Sequence, residues 1–163
     1  MNEIMIDIEK FLDLSNYATD TRVSRRKDSD VNSQEFFTPY IIVKRMCEKV
    51  SDEDWKNPEK TFLEPSFGNF QFGCYILYKR LLSGIDWKTA LSTLYGVELM
   101  PDNVKESKQR VLSMFDEMEI EYDKNEALKI MDHNLVCSDF FKWDFENWCP
   151  IKESEDLQSF SLF

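Results

Sequence analysis

The chain has 163 residues, 42% of them hydrophobic and 14% aromatic, which suffices for one buried core and predicts a single domain. A formal net charge of −11 argues against a protein that holds nucleic acid through its overall field, because phosphate binding depends on Lys and Arg displacing counterions. What remains open is a solvated acidic surface, a basic protein partner, or mimicry of a polyanion.

Residues 4–14 place Ile4, Ile8, Phe11 and Leu12 at helical spacing between acids, an amphipathic opening helix. Residues 15–33 turn polar around Arg22, Arg25, Arg26 and Lys27, a pattern that reads as an exposed arm, either simply solvated or open to a phosphate or acidic partner. Phe36 and Phe37 then precede Thr38 and Pro39, with Ile41, Ile42, Val43, Met46 and Val50 at helical spacing behind them. Pro39 suits a first helical turn and Thr38 an N-cap. After a linker at 51–60, the apolar run from Thr61 stops at Glu64, turns at Gly68 and enters a broadly apolar helix ending near Gly84.

A second short strand at 94–97 ends at Glu98, and Pro101 with Asp102 opens the next helix, carried by Val104, Val111, Leu112 and Phe115. A short helix over 126–131 leads to a third strand, 134–137, that runs out at Asp139. Strands therefore alternate with helices, which defines an α/β class: a partial Rossmann-like fold with a short parallel sheet of about three strands flanked by helices. Right-handed crossovers bring the ends of parallel strands, and hence Glu64, Glu98 and Asp139, to one edge. A carboxylate there can accept from both hydroxyls of a ribose, a role suited to Glu98. Asp139 can accept from an exocyclic amine with Phe140 or Phe141 as a wall for the ring, and Leu99 and Met100 can pack the other face. Any one acid could equally be a helix cap or a solvated loop end.

Four cysteines, Cys47, Cys74, Cys137 and Cys149, lie far apart beside a single histidine, His133, a spacing that argues against zinc and for reduced, mostly buried thiols. No apolar run approaches the roughly 20 residues of a membrane span, and the N-terminus mixes charge with apolar residues, so the expected compartment is the cytoplasm.

Four segments in order, Phe36-Phe37-Thr38-Pro39, Leu63-Glu64-Pro65-Ser66-Phe67-Gly68-Asn69-Phe70-Gln71-Phe72, Tyr95-Gly96-Val97-Glu98-Leu99-Met100-Pro101-Asp102-Asn103-Val104 and Asn134-Leu135-Val136-Cys137-Ser138-Asp139, resemble successive motifs of the adenine-specific N6 DNA methyltransferases. The resemblance implies S-adenosylmethionine as cofactor. On it, Phe36, Thr38 and Pro39 border the methionine part, Glu64 and Gly68 form the pocket floor, Glu98 with Leu99 beside it holds the ribose, and Asp139 with Phe140 meets the adenine. It divides the chain into an N-terminal helix and basic arm at 1–33, a methyltransferase-like domain at 34–150 and an acidic, apolar tail at 151–163.

Two departures redirect that expectation. Phe70 stands where a second glycine usually lets backbone and cofactor approach, so it should crowd the methionine end or force the turn into another shape. The Asn/Asp-Pro-Pro-aromatic motif that transfers the methyl group in that family is absent, and Pro150 has no second proline beside it. The family's fourth strand pairs with the first, so the strand after Thr61 is expected to keep an open edge, to be covered by the tail with Leu157, Phe160, Leu162 and Phe163 or by another subunit. The expected function is that of a catalytically incomplete methyltransferase-like protein, not an enzyme on its own. It would bind another protein, such as restriction-modification or defence machinery opposed by a virus or mobile element, or would self-associate through the open edge, without strong direct DNA binding. The alternatives are the S-adenosylmethionine-binding subunit of a split methyltransferase, or a sensor of that cofactor.

Overall fold

The protein was analysed as a computed structural model that describes residues 6–13 and 37–152. Phe36, the basic cluster at 22–27 and the apolar residues of the tail lie outside the described residues. Helix α1 (Ile8–Phe11) is capped by Asp7, whose Oδ1 accepts from Lys10 N–H, and is followed by the buried Leu12. Then come α2 (Tyr40–Cys47), α3 (Asp52–Lys56), β1 (Phe62–Glu64), α4 (Gln71–Leu82), α5 (Trp87–Ser92), β2 (Leu94–Glu98), α6 (Pro101–Glu117), α7 (Lys124–Asn134) and β3 (Leu135–Cys137). A 3₁₀ turn at Phe140–Lys142 leads into a small hairpin of β4 (Trp143–Asp144) and β5 (Cys149–Pro150).

The main sheet is all parallel in the order β1-β2-β3. It is the expected three-stranded α/β arrangement, consistent with a partial Rossmann-like fold. Partners in parallel register share a face, so the pairs Phe62 with Leu94 and Gly96 with Leu135 put three apolar side chains on one side. That side meets the helices, and Leu94 and Leu135 are buried. The other face carries Leu63, paired with Tyr95, and Val136; there Leu63 is 49% exposed, and Tyr95 packs edge-on to Trp148 of the hairpin.

Phe62 N–H donates to the Thr93 carbonyl on the β2 side. Alternate residues of a strand turn their N–H and C=O the opposite way, so Leu63 directs its polar backbone to the outer edge. Among the described residues no strand pairs with that edge.

Several expectations are corrected. The segment read as a linker holds α3, nucleated where Ser51 Oγ accepts from Asp54 N–H at 3.1 Å, and Trp55 is buried by stacking on Phe62 at 5.3 Å. Residues before β2 form α5, capped by Asp86 through Thr89 N–H at 3.0 Å. Both helices are too short for a legible apolar stripe, and their caps decide them. Thr38 is not the cap of α2: Pro39 occupies that position with extended backbone (φ −60°, ψ 147°), and no side chain caps the helix. Of the thiols, Cys47 and Cys74 are buried while Cys137 and Cys149 are exposed, so only half fit the expected burial; all four are free. Among the described residues no helix is long and apolar enough to cross a membrane.

Candidate functional site

The joint between β1 and α4 begins where Glu64, largely buried, turns its carboxyl group toward the start of the helix: Oε2 accepts from Gly73 N–H at 3.0 Å. It thereby takes up one of the unsatisfied donors of a helix whose N-cap, Phe70, offers no side-chain acceptor. Burial pushes the Glu64 carboxyl well above the ordinary carboxylate range; the Gly73 hydrogen bond opposes this, the Glu98 charge adds to it, and Arg110 counters it.

Phe70 adopts left-handed backbone (φ 69°, ψ 36°), a region that favours glycine. A large side chain thus sits in a conformation that costs a non-glycine residue. Its ring is wholly buried and lies over Gly73, where a Cβ would stand 2.2 Å from Cε2. Phe67 packs edge-on to it at 5.3 Å and lies over Gly96, where a Cβ would meet Phe67 Cδ1 at 2.5 Å. Phe67 N–H also donates to the Val97 carbonyl at 3.3 Å, tying the loop to the end of β2. Two rings thus pack against each other beside the strand ends, and two glycines make room for them.

Glu98 closes the loop. Its Oε2 accepts from Gly68 N–H at 2.8 Å, and Oε1 accepts from Met100 N–H at 2.9 Å and Asn103 Nδ2 at 3.4 Å. Both oxygens of the expected ribose acceptor are therefore held by this chain's own donors, in a site only 5% exposed. Gly68 itself has positive φ (52°), as the turn demands.

A cavity of about 330 Å³ opens beside this joint. It brings Thr38, Glu64 and Gly68 together, with Ser66 and Asn69 as further polar groups and Met46, Leu63, Phe72 and Ile76 as apolar wall. Glu98, Leu99, Asp139 and Phe140 do not line it. Pro39 is exposed at the start of α2, and Leu99 is exposed at 58%. Asp139 Oδ1 accepts from Phe141 N–H at 2.9 Å and so caps the 3₁₀ turn, while Phe140 leans on Phe145 of the hairpin at 4.8 Å. The structure thus splits the expected set into a β1 cavity, a Glu98 latch and a β3 group.

Residues that were not singled out hold the loop from beneath. Arg110 donates to the Asn69 carbonyl and to Gln71 Oε1, the latter at 2.8 Å, and Gln71 Nε2 donates to the carbonyls of Leu12 at 2.9 Å and Thr38 at 3.2 Å. Ser107 Oγ donates to the Gly68 carbonyl at 3.3 Å. The signal was available: Asn103, Ser107 and Arg110 recur at helical spacing on the buried side of α6, polar residues where apolar ones would be expected. Asn69 is the contrary case, with a side chain 1% exposed and neither polar atom hydrogen-bonded. Among the described residues no group of three or more His, Cys, Asp or Glu side chains is arranged to hold a metal.

Fold and site together define an α/β protein with a parallel sheet and a strand-end loop closed by its own side chains. No protein-family model matches the chain, and neither the curated proteins nor the solved structures include a significant match.

Proposed function

We propose that this protein is a methyltransferase-like module that transfers no methyl group and acts by binding another protein. The observation that carries the reading is the latch of Glu98 on Gly68 and Met100, which engages both oxygens of the carboxylate a ribose would need. The buried rings of Phe67 and Phe70 support it, since a cofactor entering above β1 and β2 would have to displace them. Displacing a buried phenylalanine forfeits about 3–5 kcal/mol, a large fraction of what a millimolar-to-micromolar ligand returns. In contrast, the outer edge of β1 offers free backbone groups at Leu63, whose exposed side chain shares a cavity wall with that of Met46.

The partner class proposed is restriction-modification or related defence machinery, bound by a protein from a virus or mobile element; the charge of −11 suits occupation of a DNA-binding surface. Calorimetric titration with S-adenosylmethionine and S-adenosylhomocysteine, paired with pull-downs against methyltransferase and restriction complexes, tests this. The expected outcome is no heat and a retained complex. Saturable heat at micromolar ligand would instead establish the second reading, a cofactor sensor or the binding subunit of a split methyltransferase, which the 330 Å³ cavity at Thr38, Glu64 and Gly68 favours.

A further inference from the structure

A second cavity, of about 360 Å³, lies on the less covered side of the sheet, between β1 and the hairpin. Its floor is Thr61 with Phe62 and Leu63 of β1, and its walls are Tyr95, Phe145 and Trp148 with Glu146. The rings do not stack: Tyr95 meets Trp148 at 4.8 Å and 74°, and Phe145 meets it at 6.2 Å and 64°. An edge-to-face pair covers one face of one ring only, whereas flat stacking covers a face of both.

Trp148 is held there against its own preference. It has left-handed backbone (φ 50°), uncommon for a bulky residue. Its indole N–H donates to the His133 carbonyl at 2.7 Å, and Trp143 braces it at 5.5 Å. Strain of this kind persists where surrounding contacts over-determine it, and it gathers at ligand clamps. The hairpin turn is tied by Asp144, whose Oδ1 accepts from Glu146 and Asn147 N–H at 2.9 and 3.0 Å. Among the described residues the Glu146 carboxylate makes no hydrogen bond or ion pair and is exposed at the rim. The nearby Lys60 is already paired with Asp54 at 2.9 Å.

We propose that Tyr95, Phe145 and Trp148, with the Glu146 carboxylate, form a receptor for a cationic side chain, arginine or lysine, on a basic segment of a partner protein. Aromatic faces attract a cation through their quadrupoles, and a carboxylate at the rim adds direct attraction. An acidic protein of net charge −11 draws such a segment toward its surface. The outward backbone groups of Leu63 beside the cavity allow the segment to lie extended along β1 while its side chain enters. The proposal rests on the protein-binding reading only in assigning the cation to a protein.

The test is ¹⁵N NMR of the full chain, following its tryptophan indole resonances, with Trp148→Phe identifying the one from Trp148. The probes are acetylated, amidated Gly-Arg-Gly and Gly-Lys-Gly, against Gly-citrulline-Gly and Gly-norleucine-Gly as neutral isosteres. The cationic peptides should shift the Trp148 indole saturably and the neutral ones should not. Glu146→Gln, an exposed change that keeps the shape and the fold, should weaken the cationic peptides by about three- to tenfold. Equal shifts from the neutral peptides, no shift at about 10 mM peptide, or undiminished affinity in Glu146→Gln each overturn the proposal. If the peptides fail while the pull-downs retain a partner, the receptor falls and the binding reading stands; if the peptides bind and no partner is captured, the reverse holds.

Discussion

Gly73→Ala probes the interlock at the start of α4. In an ordinary helix interior this change stabilises by about 1 kcal/mol. Here the new methyl group would stand 2.2 Å from Cε2 and Cζ of Phe70. The ring is 0% exposed and pinned edge-on against Phe67, so it has no open direction in which to retreat. Overpacking of this kind costs about 1–3 kcal/mol; a 2.2 Å approach belongs at the upper end, leaving a net loss of about 2 kcal/mol after the helix gain. In a Phe70→Ala background, itself destabilised by about 3–5 kcal/mol, the obstruction is gone and Gly73→Ala should stabilise by about 1 kcal/mol. The four proteins of the cycle are compared by urea unfolding, with a coupling energy of about 3 kcal/mol expected from those two values. If Gly73→Ala has the same sign in both backgrounds, with coupling below about 0.5 kcal/mol, the ring does not determine the glycine and the account of the loop is wrong.

The remaining predictions bear on the same loop and on the thiols. Glu98→Ala leaves the Gly68 and Met100 N–H groups without their acceptor and should cost about 1–3 kcal/mol in chemical denaturation, whereas a stability unchanged from the parent would show that the latch is incidental. Arg110→Ala should cost at least about 2 kcal/mol, and Arg110→Lys should not restore it, because one ammonium cannot span the Asn69 carbonyl and Gln71 Oε1 as a guanidinium fork does. The Glu64 pKa is raised in the fold, so its contribution to stability is fully present below the unfolded carboxylate value and is lost as pH rises through the folded one. Glu64→Gln, which keeps an acceptor for Gly73 N–H, should therefore gain on the parent as pH rises from 4 to 8 (about the span of a raised carboxylate), and a difference flat with pH would refute the assignment. Under native conditions Cys137 and Cys149 should react with a thiol reagent well before Cys47 and Cys74, whose burial raises their pKa to about 11; four equal rates would contradict the burial.

Much of the architecture was legible because it is written locally. Apolar runs that stop at Glu64 and Glu98 and helices opened by Pro101 and closed by Gly84 are short-range signals, and the structure places strands and helices there. The helices α3 and α5 escaped notice because Ser51 and Asp86 announce them through a single side-chain bond each, with too few apolar residues for a periodic pattern. The hairpin at β4 and β5 was equally hidden: two residues per strand leave no alternation to read.

The sequence by itself determined the alternation of strands and helices, the acids at the strand ends and the anomaly at Phe70, since each depends on neighbours along the chain. Only the tertiary structure decided what those acids touch. Glu98 meets Gly68 across 30 positions and Arg110 meets Asn69 across 41, contacts that exist only once β1, β2 and α6 have packed. The same holds for the rings of Phe67 and Phe70, which come to lie over Gly96 and Gly73 only once the loop has packed on the sheet and on α4. It holds again for Tyr95 and Trp148, 53 positions apart by their numbering and joined only because the hairpin folds onto the sheet face that the helices leave uncovered.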